Sequence, residues 1–278
     1  MSDLVAMLGL PFLACILMGS ILSYLGIHVL KREVIFIDIA VAQVAAVGAL
    51  AAHLAFDVED GSLLSYLFSL ACVFAMAGFY SVVRHKVVEI SIEAIIGISY
   101  AITAAGALFL IGIAPGHAHA EEMLAGSLLW VTWPQILVGL VVFAAVGFVL
   151  WLVRRPISAV SQDYAAAAAG GLNVAWWDFL FYALLGVVIT VAVRLSGVVT
   201  VFALLIIPAT TSALLATGWL SRLLLAWLTV VMASTTGLLF SYYLDFSMGP
   251  VIALCLGTLL AVVAVFARLR QKAVVRQA

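Results

Sequence analysis

Gln135-Ile-Leu-Val-Gly-Leu-Val-Val-Phe-Ala-Ala-Val-Gly-Phe-Val-Leu-Trp-Leu-Val153 is an apolar run that ends on the basic pair Arg154-Arg155. At a rise of 1.5 Å per residue, a run of this length crosses the roughly 30 Å hydrocarbon core of a bilayer as one helix. The arginines that follow mark a loop, and loops rich in Lys and Arg stay on the cytoplasmic side. The same unit recurs along the 278 residues. Apolar runs of roughly 18–23 residues alternate with short polar gaps, which is the pattern of a polytopic membrane protein.

The charges in successive gaps alternate in sign. Lys31/Arg32, Arg84/Lys86, Arg154/Arg155, Arg222 and the tail Arg268, Arg270, Lys272 and Arg276 fall on one side. Asp57/Glu59/Asp60, Glu121/Glu122 and Asp245 fall on the other, and Arg194 alone among the basic residues breaks the order. Arg194 sits in a very short turn, from which it can snorkel to headgroups. The expected fold is an all-α helical bundle, its N-terminus outside and its C-terminus inside. The expected helices lie at about 5–29, 34–55, 63–83, 91–113, 135–153, 176–194, 197–217, 222–243 and 249–267. Nine spans is the expected count and eight the alternative, because 124–133, with Trp130 and Trp133, also reads as a re-entrant or interfacial piece.

Composition narrows the function classes. With 67% hydrophobic and 9% charged residues and a mean hydropathy of +1.31, there is too little polar surface for a water-soluble fold. The net charge of −1 hides the asymmetry between faces and gives no sign of a nucleic-acid partner. No polar gap is long enough for a soluble domain, so residues 1–278 read as a single transmembrane domain in contact with membrane lipid. The N-terminal residues lack the basic region of a cleavable signal peptide. Cys15, Cys72 and Cys255 are scattered among different spans and suggest neither a metal cluster nor a disulfide set.

Two gaps are longer than a connection requires. The first, at 156–175, contains Ser161-Gln162-Asp163-Tyr164, five alanines and Gly170-Gly171. Ser161 suits an N-cap, Asp163 the positive first turn, and paired glycines a helix stop, so a short helix along the cytoplasmic face is expected. Taken by itself this is an amphipathic connector. The second gap, on the external side, is Ala114-Pro-Gly-His117-Ala-His119-Ala-Glu121-Glu122. Its imidazoles and carboxylates are donors that Zn²⁺ or Mn²⁺ accepts. Their spacing matches no closed zinc motif, so a solvated polar loop is the competing reading.

Three positions stand out inside the spans. Asp38, in the second span, is a carboxylate that needs a partner or water, which points either to a transport path or to pairing with Lys31 or Arg32. Gln43 lies about 140° around the helix from it and borders the same small-residue region. Pro208 removes a donor in mid-span and leaves the Leu204 carbonyl unpaired, so its helix should kink or break. Broken helices at mid-depth often line translocation paths. Glu89 and Glu93, at the start of the fourth span, are expected to face cytoplasmic water.

Val198-Val-Thr-Val-Phe-Ala-Leu-Leu-Ile-Ile-Pro-Ala-Thr-Thr-Ser-Ala-Leu-Leu215, followed by Leu239-Phe-Ser-Tyr-Tyr-Leu-Asp-Phe-Ser-Met-Gly-Pro250, resembles the permease subunits of the ABC-type zinc/manganese/iron transporter family. Glu93-Ala-Ile-Ile-Gly97 and Gln162-Asp163 ahead of the Ala/Gly run add to the likeness, which covers nearly the whole chain. The resemblance implies a homodimeric membrane core, separate ATP-binding ABC subunits and an extracytoplasmic metal-binding protein. No cofactor would be bound permanently. A divalent metal ion would be the transported substrate, and ATP would act on the partner subunit. The 156–175 segment would become the coupling helix, with Gln162, Asp163, Gly170 and Gly171 meeting the ATPase. Asp38, Gln43, His117, His119, Glu121 and Glu122 would meet the metal, and Pro208 would mark a pathway helix break. The family carries a His where Gln43 stands, five residues before Gly48.

A proton-coupled secondary transporter of a small cation, with Asp38, Glu93 or His117 as relay, is the alternative. No inverted repeat supports it. The sequence also lacks the Gly-x-x-x-x-Gly-Lys-Ser/Thr loop that ATP hydrolysis would require and the common motifs of intramembrane hydrolases. The chain therefore reads as a transport subunit of the bacterial cell (inner) membrane and not as an enzyme.

Overall fold

The computed structural model describes residues 2–58, 62–86, 90–113 and 128–275. They form α1 (Ser2–Arg32), α2 (Ile37–Phe56), α3 (Leu63–Lys86), α4 (Ile92–Ile113), a 3₁₀ turn (Leu128–Trp130) and α5 (Trp133–Leu152). The chain continues as α6 (Arg154–Gln162), α7 (Tyr164–Ala169), α8 (Val174–Ser196), α9 (Val198–Leu215), α10 (Trp219–Leu244) and α11 (Met248–Val275). Among the described residues nine helices are long and apolar enough to span a membrane, and α6 and α7 are the two that are not. Large apolar side chains such as Leu108, Phe109, Val141 and Leu254 are exposed, as a lipid-facing surface requires.

The helices sort into two compact units. One comprises residues 1–30, 127–140 and 199–278. In it the Trp227 indole donates to the Ser20 carbonyl at 3.0 Å, and the ring of Trp219 packs 5.6 Å from Tyr24 and 4.8 Å from His28. Gly26 lies directly against the Leu205 carbonyl, where any side chain would collide with backbone. The Tyr-Leu-Asp motif ends α10: Asp245 takes the left-handed conformation (φ 56°) and its N–H bonds back to the Ser241 carbonyl. Here α9 runs unbroken through Pro208, in contrast to the expected break. The hydroxyls of Thr210 and Thr211 bond the carbonyls of Ile206 and Ile207, each at 2.8 Å, one turn back along the same helix.

The second unit comprises residues 31–126 and 141–198. In it α2 packs on α3, α4 and α8, α3 packs on α8, and the short helices α6 and α7 pack on α8. The most enclosed span is α8, with Phe181, Tyr182, Leu185 and Ile189 fully buried. The expected single helix from Ser161 is in fact two. Asp163 takes extended dihedrals (φ −150°, ψ 105°), breaks the run and caps α7 by accepting from the Ala166 N–H at 2.9 Å. A carboxylate at that position satisfies an otherwise orphan donor, so Asp163 is the cap, while Ser161 lies inside α6. Gly171, at φ 82°, supplies the left-handed residue beyond the helix.

Candidate functional site

Two constellations in the second unit carry charge into apolar surroundings. The first gathers at the helix ends that bear Lys31/Arg32 and Arg84. Asp178, one turn into α8 and fully buried, pairs with the Arg32 guanidinium, which is 2% exposed. Arg84 approaches the other oxygen of Asp178, Nε to Oδ2 at 3.7 Å, and donates to the Tyr182 hydroxyl at 2.7 Å. Arg32 also lies 4.2 Å over the Phe181 ring and donates from Nε to Ser161 Oγ at 2.9 Å. Two guanidiniums share one carboxylate. Removing one partner of a buried ion pair strands the other charge, at a cost of about 3–5 kcal/mol.

Around this core the cluster reaches α7. The Tyr164 hydroxyl lies 2.5 Å from His85 Nδ1, and Arg84 stands 5.2 Å over the Tyr164 ring. Burial raises the Tyr164 phenol above its ordinary range, and the charge of Asp178 acts in the same direction. The phenol therefore keeps its proton at neutral pH.

The second constellation runs along α2. Asp38 lies in the first turn of the helix, 2% exposed, and among the described residues nothing bonds its Oδ1. It is not paired with Arg32, which turns to Asp178 instead. The helical repeat puts Asp38 on one stripe with Ala42, Ala45 and Ala49. That stripe leads into a cavity of about 60 Å³, which is also lined by Ser69 of α3 and by Thr190 and Arg194 of α8. Arg194 does not reach outward. Its Nη2 donates to Ser65 and Ser69 at 3.3 and 3.4 Å, and its guanidinium lies 3.8 Å over the Tyr66 ring. Gln43 is half-buried, off the stripe.

The other expected positions divide between described and undescribed residues. His117, His119, Glu121 and Glu122, together with Glu89, lie outside the described residues, and among those described no cluster of three His, Cys, Asp or Glu side chains is found. Gln162 ends α6 next to the Asp163 cap, and Gly170 and Gly171 close α7. Glu93 is half-buried, and its Oε1 accepts from the Ile35 N–H at 3.1 Å. His53 bonds the Val58 carbonyl at 2.9 Å, at the end of its own helix. Asp178 was missed by the sequence reading. The signal was present, since Trp176-Trp177-Asp178-Phe179 puts an acid inside an apolar run, on the face where the charge clusters are basic.

The fold and these sites belong to a known class. Residues 6–268 match the model of the ABC 3 transport family. The chain belongs to that family, whose members are permease subunits, and it is a multi-pass protein of the bacterial cell (inner) membrane. It is 32% identical over 163 residues to the manganese import system permease protein ScaB of Streptococcus parasanguinis, a match that covers 57% of each protein. A probable iron transport system membrane protein of Haemophilus influenzae is 24% identical over 219 residues, covering 76% of this chain and 77% of that one. Among solved structures, PsaBC from Streptococcus pneumoniae in complex with Fab aligns with a TM-score of 0.77 at 22% identity, covering 94% of each chain. At that identity the likeness is one of fold.

Proposed function

We propose that the chain is the permease of an ABC importer for a divalent metal ion. The family match over residues 6–268 carries this reading, because manganese and iron permeases are among the relatives. Mn²⁺ and Fe²⁺ are the preferred substrates, and Zn²⁺ remains a candidate because it accepts the same nitrogen and oxygen donors. Residues 1–278 act as one permease domain. Two copies would form the membrane core, with an ATP-binding subunit on the cytoplasmic face and a metal-binding protein outside. The alternating charges support a cytoplasmic position for α6, α7 and the Asp178 cluster.

Asp38 is the metal-facing carboxylate in this reading. A buried oxygen without a hydrogen-bond partner is costly unless a cation visits it. Gln43 adds an amide oxygen nearby, His117, His119, Glu121 and Glu122 serve capture at the external mouth, and Pro208 marks a pathway helix. Gln162, Asp163, Gly170 and Gly171 form the contact with the ATPase. Co-purification of the chain with an ATP-binding subunit, followed by Mn²⁺, Fe²⁺ and Zn²⁺ uptake in proteoliposomes, tests the proposal. ATP-dependent uptake of at least one metal is expected. Uptake that needs no ATPase but follows a proton gradient would replace the reading with secondary transport.

A further inference from the structure

The Asp178 cluster does more than close a gap among helices. It joins four separate stretches of chain: the end of α1 through Arg32, the end of α3 through Arg84 and His85, the start of α8 through Asp178 and Tyr182, and α6–α7 through Ser161 and Tyr164. Two of its links are single hydroxyls on the short helices. Ser161 Oγ, held by the Ile157 carbonyl at 2.7 Å, receives the Arg32 Nε, and the Tyr164 hydroxyl meets His85. The Tyr164 ring also lies under the Arg84 guanidinium, at 5.2 Å, and α6 and α7 have an apolar hold on α8 as well. Val160 and Ala167 pack with Val174 at the start of α8, flanked by Tyr164, Leu172 and Trp177.

We infer that Ser161 and Tyr164 are the positioning residues through which movement of the coupling segment reaches the membrane helices. The inference rests on the ABC reading above and adds to it a mechanical route. Apolar packing against α8 transmits a push but little lateral pull, because it is non-directional. Hydrogen bonds to a buried guanidinium and to an imidazole fix direction, so Arg32 and the end of α3 follow a displacement of α6 and α7. The Arg32–Asp178 pair is the rigid part, since neither member can leave the other without stranding a buried charge, and Arg84 adds a second, more exposed contact. Because α2 packs on both α3 and α8, the displacement reaches the cavity stripe at Ala42–Ala49. The Tyr164 hydroxyl is exposed at the edge of the cluster, whereas Ser161 is buried, and losing its hydroxyl takes one acceptor from Arg32 while the Arg32–Asp178 pair stays in place.

The test uses the full chain in complex with its co-purifying ATPase, with the three native cysteines changed to alanine and Ala46→Cys as a reporter on the cavity wall. Maleimide labelling of that cysteine is compared with and without ATP and vanadate, a readout that needs no metal. In this parent complex the nucleotide should change the labelling rate at least fivefold. Ser161→Ala combined with Tyr164→Phe should abolish the change while subunit yield stays normal and ATP hydrolysis stays within twofold. Ser161→Thr, which keeps the hydroxyl, should retain it. A nucleotide-dependent change that persists in the double variant overturns the inference and leaves the importer reading intact. A parent complex without any change also overturns it, since nothing would then be transmitted to α2. Failure of any ATPase to bind the chain overturns both readings, whereas failure to import metal, measured separately, overturns only the choice of substrate.

Discussion

A Cβ placed on Gly48 would stand 2.7 Å from the carbonyl oxygen of Phe68, with Ser69 Cα at 2.8 Å. Both neighbours are backbone, so neither can rotate away, and α2 touches α3 here with nothing between them. Gly48→Ala should therefore destabilise the protein by about 1–3 kcal/mol, the usual cost of overpacking. Gly97 in α4 is the control, because a Cβ there meets nothing within 4 Å. Gly97→Ala should be neutral or stabilising, by up to about 1 kcal/mol. Thermal unfolding of the two detergent-purified variants gives the comparison, and equal shifts would remove the close approach.

Asp38→Asn keeps the shape of the side chain and removes its charge. The variant should assemble normally and import less than a tenth of the wild-type metal, as measured by uptake in proteoliposomes. Gln43→His should keep activity or shift preference toward Zn²⁺, since imidazole is a better zinc ligand than an amide oxygen. Near-normal uptake by Asp38→Asn would move the metal path elsewhere. His117→Ala with His119→Ala should then be decisive, because it is expected to weaken apparent affinity only.

The Asp163 cap makes a separate, local prediction. Asp163→Ala loses the bond to the Ala166 N–H and should cost α7 about 1 kcal/mol. Gly171→Val forces a β-branched side chain to φ 82° and should disturb the same segment more strongly. Both variants should reach the membrane in normal amount but bind the ATPase less tightly, which a pull-down titration reads. Unchanged binding by both would return 156–175 to the status of a plain connector.

Orientation follows from the charge map and is tested by labelling. Cysteines at Ser62 and Ala118 should react with an impermeant maleimide applied from outside, and a cysteine at Ala167 should not. Reaction of Ala167→Cys in intact cells would invert the topology.

The span pattern was legible because membrane insertion is decided locally, by run length and flanking charge. The run read as 135–153 is the helix Trp133–Leu152, and all nine expected runs have a helical counterpart among the described residues. Local chemistry was legible less evenly. Ser161 and Asp163 are both good caps by residue type, and residue type alone does not say that the break falls at Asp163. Pro208 was read by its missing donor alone, whereas α9 continues through it as a helix over Val198–Leu215. Asp178 was legible as an acid inside an apolar run, but its pairing with Arg32 and Arg84 and the inward turn of Arg194 were not. Each is made of residues brought together from distant parts of the chain, and neither spacing nor composition encodes such pairing.

The distance between Arg32 and Asp178 has a consequence for how the protein is made. They are 146 residues apart in sequence. At ~5–20 residues per second, a ribosome delivers the second charge roughly 7 to 30 seconds after the first. During that interval Arg32 has no carboxylate from α8 to meet. Its place at the last turn of α1 lets the guanidinium wait among lipid headgroups, a berth that a mid-span arginine would not have. Arrival of α8 then draws it into the protein. The pair thus acts as a latch that closes late in synthesis, and a chain truncated before residue 178 should leave that latch open to the cell's membrane proteases.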